Sequence, residues 1–212
     1  MQAPSAENDR KRQRRKDARP SEIIAAAMVL WRDRGFVATR LEDVAAGAGI
    51  AKGTIYRYFP SKEALFEAAV QERLVGILDR AKGMTKEFDG PTKDLLLRFF
   101  ATISAEMIGG GSSVLLRVLL AEGARFPTLI RQYETMMLVP GMVTVRAILE
   151  RGVARGELAP VALTYDPRLI MAPAMMLALW GGFFTTSGFV TPETALAQHV
   201  DLLIRGLAPN PD

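Results

Sequence analysis

The sequence contains no cysteine and a single histidine, His199. The first absence excludes disulfides and thiolate metal sites. The second leaves too few imidazoles for a histidine-based catalytic or metal centre, and no metal site is expected. The carboxylates of the C-terminal part stand singly on amphipathic stretches, so no converging set of acids, bases and nucleophiles is in view. No internal repeat, no run with the period of a strand and no apolar leader at the start can be found. A phosphate loop is missing too. Gly109-Gly110-Gly111 follows a helical pattern rather than a strand, and no lysine comes after it, so it reads as a turn. No cofactor is expected, and an enzyme is only the third reading.

Charge is absent from one long run, residues 169–190. Twenty-two uncharged residues are long enough to span a bilayer. Against that, Pro173, Gly181-Gly182 and the cluster Thr185-Thr186-Ser187-Gly188 dilute the hydrophobicity, and no second such run exists. A helix buried on all sides, by its own core and by a partner subunit, fits better. The alternative is a basic protein at a membrane surface, anchored by this run.

What is present describes a globular protein: 212 residues, 49% apolar and 24% charged. The net charge of +4 is unevenly spread. Residues 1–62 hold 13 Lys/Arg against 7 Asp/Glu, and the remainder holds 14 against 16. A basic N-terminal module on a slightly acidic body implies that nucleic acid meets one end only. Residues 1–19 have few apolar side chains and carry seven Lys/Arg between positions 10 and 19, so a disordered basic segment is expected. It is either a solvated tail or an arm that adds phosphate or minor-groove contacts.

The first helix is predicted over 20–34, with Pro20 in its first turn and Ile24, Met28 and Trp31 on one face. Gly35 ends it, and Thr39 is placed to cap the next. Leu41, Val44 and Ala45 form a narrow apolar stripe, Gly49 ends that short helix, and Ile55 and Phe59 mark the buried face of another. The spacing is that of a helix-turn-helix over residues 40–59. Lys52, Thr54, Tyr56, Arg57 and Tyr58 then occupy the other face, with donors for phosphates and base edges. Gly53 costs about 1 kcal/mol of helix propensity, which makes sense where bare backbone approaches something closely. Ser61 is a cap for the following helix, and Lys62 in its first turn is placed to meet phosphate.

Gly35-Phe36, Thr39, Asp43-Val44-Ala45, Ala48-Gly49-Ile50, Lys52-Gly53-Thr54-Ile55-Tyr56, Tyr58-Phe59 and Ser61-Lys62-Glu63 together resemble the signature of the tetracycline-repressor (TetR) family of bacterial transcriptional regulators. Ala51 departs from it, standing where many members have a serine cap. The resemblance implies DNA contacts by Lys52, Gly53, Thr54, Tyr56, Arg57, Tyr58 and Lys62, with Thr39 and Arg40 beside them. It implies double-stranded DNA as partner, with an inverted-repeat operator. It also implies a cytoplasmic repressor that a small molecule releases.

Downstream, apolar periodicity predicts helices over 62–81, 92–108, 112–123, 126–155 (interrupted at Pro140-Gly141), 167–189 and 192–207. The expected fold is therefore all-α, with about nine helices. A helix-turn-helix DNA-binding domain (20–66) precedes a larger helical effector-binding and dimerisation domain (67–212). The last two helices are expected to form a homodimer. The body is rich in methionine, which fills irregular gaps and tolerates repacking. Phe99, Met107, Arg117, Tyr133, Met137, Met176 and Trp180 are the candidates to line a cavity for a largely apolar effector, with Glu106 and Arg146 as further polar contacts.

Overall fold

The computed structural model describes residues 6–109, 111–183 and 190–209. Among the described residues nine helices follow one another and no strand occurs. They are α1 (Ala6–Arg34), α2 (Leu41–Gly47), α3 (Lys52–Tyr58), α4 (62–87), α5 (92–109), α6 (Ser113–Glu122), α7 (127–154), α8 (Pro167–Phe183) and α9 (Pro192–Leu207). A 3-10 segment, Pro160–Thr164, joins α7 to α8. Three of the longer helices contain a widened π turn: Gln71–Val75 in α4, Ala105–Gly109 in α5 and Glu134–Leu138 in α7.

Local chemistry explains most of the boundaries. Gly35 and Gly49 take φ of 80° and 64°, the left-handed region that ends helices at little cost only for glycine. The Ser61 hydroxyl accepts from the Ala64 N–H at 3.1 Å and caps α4. Thr191 caps α9 through the Thr194 N–H, and Pro192 fills the first turn. α7 likewise begins on Pro127 and α8 on Pro167.

Three expectations need correction. Helix α1 begins at Ala6 and runs through Pro20, rather than starting at Pro20 after a disordered segment over 1–19. Residues 6–19 include neither glycine nor a β-branched residue and are dominated by Arg, Lys, Gln and Ala, all good helix formers. Thr39 does not cap α2. Arg40 occupies that position, and its backbone N–H donates to the Asp43 carboxylate at 3.0 Å. The irregularity expected at Pro140-Gly141 lies one turn earlier, in the π turn Glu134–Leu138. Proline lacks an N–H, so the wider register closes just before the position where an α-helical bond is missing.

The N-terminal helix-turn-helix module is closed by Ile23, Trp31, Leu41, Val44 and Ile55, all nearly inaccessible. Helix α6 packs against α1, α4 and α8. Helices α5 and α9 pack along one another, with Lys93 3.0 Å from Asp201 and the His199 ring against Phe100. His199 Nε2 lies 3.0 Å from the Ile170 carbonyl, so the single histidine is committed to packing α9 on α8.

Contacts of α7 with the α1–α2 loop and with α4 couple the module to the body. Phe36, at the tip of the α1–α2 loop, has its ring 5.5 Å from Trp31, 6.2 Å from Phe66 on α4 and 5.5 Å from Phe126 at the start of α7. Gln132 on α7 donates to Glu67 on α4 at 2.7 Å. The π turns of α4 and α7 also touch. Helix α7 is thus in direct contact with both α4 and the α1–α2 loop.

Candidate functional site

Ile55 is the buried residue of α3 and pins the helix to α2. Lys52, Tyr56 and Arg57 consequently face solvent, with the Lys52 side chain 73% exposed. Thr54 and Tyr58 are half-buried, and Tyr58 packs against the core. No side chain caps α3, as expected of Ala51 at its entry. A Cβ added to Gly53 would meet nothing within 4 Å, so no contact within the chain requires glycine there. Arg40, at the start of α2, is exposed.

Two of the residues expected to meet DNA are engaged elsewhere. Thr39 is fully buried and donates its hydroxyl to the Gly35 carbonyl at 2.7 Å, bracing the α1–α2 loop. The Lys62 ammonium donates to the carbonyls of Phe36 (2.8 Å) and Val37 (3.1 Å) and lies 4.8 Å from the centre of the Phe36 ring. Burial pulls its pKa below the usual lysine range. Lys62 thus clamps the start of α4 to the loop, with two of its three donors committed. A residue that sequence reasoning passed over belongs to the outer surface instead. Glu42 on α2 accepts from the Tyr56 hydroxyl at 2.9 Å and lies 3.2 Å from Lys52 Nζ. The signal is invisible locally, because the three residues meet only when α2 and α3 cross.

In the body, a small cavity of about 30 Å³ is lined by Ile103, Met107, Tyr133, Met137, Leu138, Met171, Ala174 and Met175. Met107, Tyr133 and Met137 were expected there. The other four candidates are not among the lining residues. Phe99 is packed edge-on to Phe100 in the core, and Arg117 is half-exposed on α6. Met176 and Trp180 turn outward on α8, 52% and 42% exposed. Helical periodicity finds the apolar face of a helix but not which part of it borders a void. Glu106 pairs with Arg80 at 2.8 Å, and Arg146 bonds the Leu163 carbonyl and Glu150, so neither reaches the cavity. Tyr133 is the single polar side chain in the lining, and burial pushes its phenol up to about 12, so it remains an O–H donor at any ordinary pH.

Among the described residues no group of His, Cys, Asp or Glu could hold a metal, and no helix is long and apolar enough to cross a membrane. The latter disfavours the membrane-anchored reading of 169–190, of which 184–189 lie outside the described residues.

Known proteins match most of the chain. Residues 23–69 match the model described as bacterial regulatory proteins, tetR family, and residues 89–201 match the tetracyclin repressor-like C-terminal domain. The HTH-type transcriptional repressor KstR2 of Rhodococcus jostii is 29% identical over 201 residues, 91% of this chain and 93% of that protein. An uncharacterised HTH-type transcriptional regulator of Mycobacterium tuberculosis is 30% identical over 69% of this chain and 68% of its own. The crystal structure of the transcriptional regulator FadR from Bacillus subtilis with stearoyl-CoA superposes with a TM-score of 0.68 at 20% identity, covering 88% of this chain and 98% of that one. A helix-turn-helix whose outer face carries the donors, set on a helical body that matches the family along most of its length, places the chain in the TetR family of DNA-binding transcriptional regulators.

Proposed function

We propose that the protein is a dimeric repressor that reads an inverted-repeat operator with α3 and leaves it when a lipophilic molecule enters the body. The observation that carries the DNA half is the face of α3: Lys52, Tyr56 and Arg57 are exposed while buried Ile55, helped by half-buried Tyr58, anchors the helix. Lysine and arginine supply phosphate charge and base-edge donors, the Tyr56 hydroxyl adds a phosphate donor, and the bare Gly53 backbone permits close approach. A helix of seven residues reads only a few base pairs, so two copies on two half-sites are needed. The basic residues of α1 between positions 10 and 19 would add sequence-independent affinity. Replacing Lys52, Tyr56 and Arg57 together by alanine is expected to lower operator affinity at least about a thousandfold, towards the non-specific level. Titration of labelled operator with the folded triple variant checks this. Affinity and selectivity equal to wild type would sink the assignment.

Dimerisation is proposed through α8 and α9. Leu169, Met176 and Trp180 lie on one face of α8, each more than two-fifths exposed, and Leu202 on the adjoining α9 is 70% exposed. On α9, Leu196 is buried within its own chain and Leu203 is half-buried.

The effector half rests on the cavity. As it stands, 30 Å³ holds a couple of waters, far below the roughly 300 Å³ of a typical ligand site. Four of its eight lining residues are methionines, which can repack around a guest. The fitting ligand is apolar with one polar group for Tyr133. FadR of Bacillus subtilis was solved with stearoyl-CoA, a molecule with a long apolar chain, and that agrees with the class without identifying the compound. A ligand displaces DNA only by favouring a body shape that the operator complex disfavours. Long-chain alcohols and lipophilic ketones are therefore expected to include compounds that release operator at the concentrations where they bind. Tyr133→Phe should weaken those compounds about tenfold, the cost of one lost buried hydrogen bond, while leaving operator affinity unchanged. Compounds that bind without touching DNA affinity would leave a pocket with no switch.

A further inference from the structure

We propose that Glu42 is a specificity-determining residue of the DNA-reading surface, whose carboxylate withholds Lys52 and Tyr56 from generic phosphates and yields them only where the duplex offers a base-edge donor in return. The inference rests on the reading of α3 as the recognition helix.

Lys52 and Tyr56 stand at i and i+4 on α3, one above the other on its outer face. Glu42, from the neighbouring α2, meets both with the same oxygen: Oε1 lies 2.9 Å from the Tyr56 hydroxyl and 3.2 Å from Lys52 Nζ. One carboxylate thus pins a row of two donors. Its purpose is not the fold. The α2–α3 crossing is secured by buried Leu41, Val44 and Ile55, and an ion pair this exposed adds little to stability. What the pair governs is which partners the two donors may take.

A phosphate drawn to Lys52 would come to rest a few ångströms from Glu42, like charge beside like charge. That opposition is present at every sequence, because every sequence has phosphates. Glu42's own backbone N–H, the Tyr56 hydroxyl and the Lys52 ammonium hold its carboxyl below the usual range, so the opposing charge persists through ordinary binding conditions. A base-edge amino group changes the balance. Carboxylates accept from cytosine N4 in the major groove, and such a donor replaces the bonds that Glu42 gives up when Lys52 and Tyr56 turn to the DNA. Glu42 therefore penalises non-operator DNA more than operator, which is discrimination by repulsion.

The operator is first selected from a random duplex pool with the wild-type full chain. Operator and random-duplex affinities are then measured against salt for wild type, Glu42→Gln, Glu42→Gln/Lys52→Ala and the Lys52, Tyr56 and Arg57 triple-alanine variant. Glutamine keeps an acceptor for Tyr56 and removes only the charge. In Glu42→Gln, random-duplex affinity is expected to rise about tenfold, and the slope of log K against log salt to steepen by about 0.9, one phosphate's worth. Operator affinity should rise less, so the specificity ratio falls. Adding Lys52→Ala should abolish the steepening. An unchanged slope and ratio in a Glu42→Gln protein that melts like wild type would overturn the proposal. If the triple variant loses DNA while Glu42→Gln is silent, only Glu42's role fails. If the triple variant binds normally, the recognition-helix reading fails, and this proposal with it.

Discussion

A protein carrying Met176→Asp and Leu202→Asp is expected to sediment as a monomer near 23.2 kDa and to lose operator binding by at least about a thousandfold. Both side chains are more than half exposed in the protomer, so an aspartate at either position remains solvated and the monomer fold is not challenged. In a dimer closed by α8 and α9, the same two charges would be buried four times over, once per site in each protomer. Burying an unpaired carboxylate is strongly unfavourable, and the interface cannot absorb it. A single α3 then faces a single half-site, and binding falls towards its non-specific level. Leu196 would be a poor choice for this experiment: it is 4% exposed within the chain, so a charge there tests folding rather than association. Circular dichroism should match wild type while sedimentation separates them. A variant that stays dimeric at micromolar concentration would show that the exposed row on α8 and α9 is not the interface.

The second large effect is expected at Phe36. Its ring is fully buried where the α1–α2 loop, α4 and the start of α7 meet, in edge or tilted contact with Trp31, Phe66 and Phe126. Phe36→Ala should cost about 3–5 kcal/mol, the lost transfer energy plus the void left among three rings. It should lower the midpoint of thermal unfolding by on the order of 10 °C for a chain of this size. The Lys62 clamp loses its ring partner in the same step, although its two carbonyl bonds are to backbone and remain available. Because Phe126 opens the helix that carries Tyr133 and Met137, the variant should also weaken the effect of ligand on DNA affinity. Phe36→Leu, which refills most of the volume, should recover most of the stability. Chemical denaturation of the three proteins decides it. A loss below about 1 kcal/mol for the alanine variant would mean that the site collapses freely and the cluster is not a rigid joint.

The amino-acid sequence by itself determined the all-α class, the helix-turn-helix and most helix boundaries. These features are written in local terms: the spacing of Leu41, Val44 and Ala45, the left-handed turns at Gly35 and Gly49, the Ser61 and Thr191 caps and the first-turn prolines of α7, α8 and α9. Each depends on neighbours within about one helical turn, so a reader of the chain has all the information needed. The basic outer face of α3 was legible for the same reason, once Ile55 fixed which side is inward.

Tertiary structure alone decided what those side chains do. Lys62 and Thr39 look like DNA contacts by position, yet the fold gives their donors to carbonyls of the α1–α2 loop. Glu42 looks like an ordinary first-turn acid and becomes the acceptor shared by Lys52 and Tyr56. In the body, the methionine-rich pattern announced a packable interior, but Met107 and Met137 border the cavity while Met176 faces outward. Periodicity fixes the inward face of each helix. Which inward residues meet a void, a carboxylate or a carbonyl depends on the angles and offsets between helices distant in sequence, and no window along the chain contains those distances.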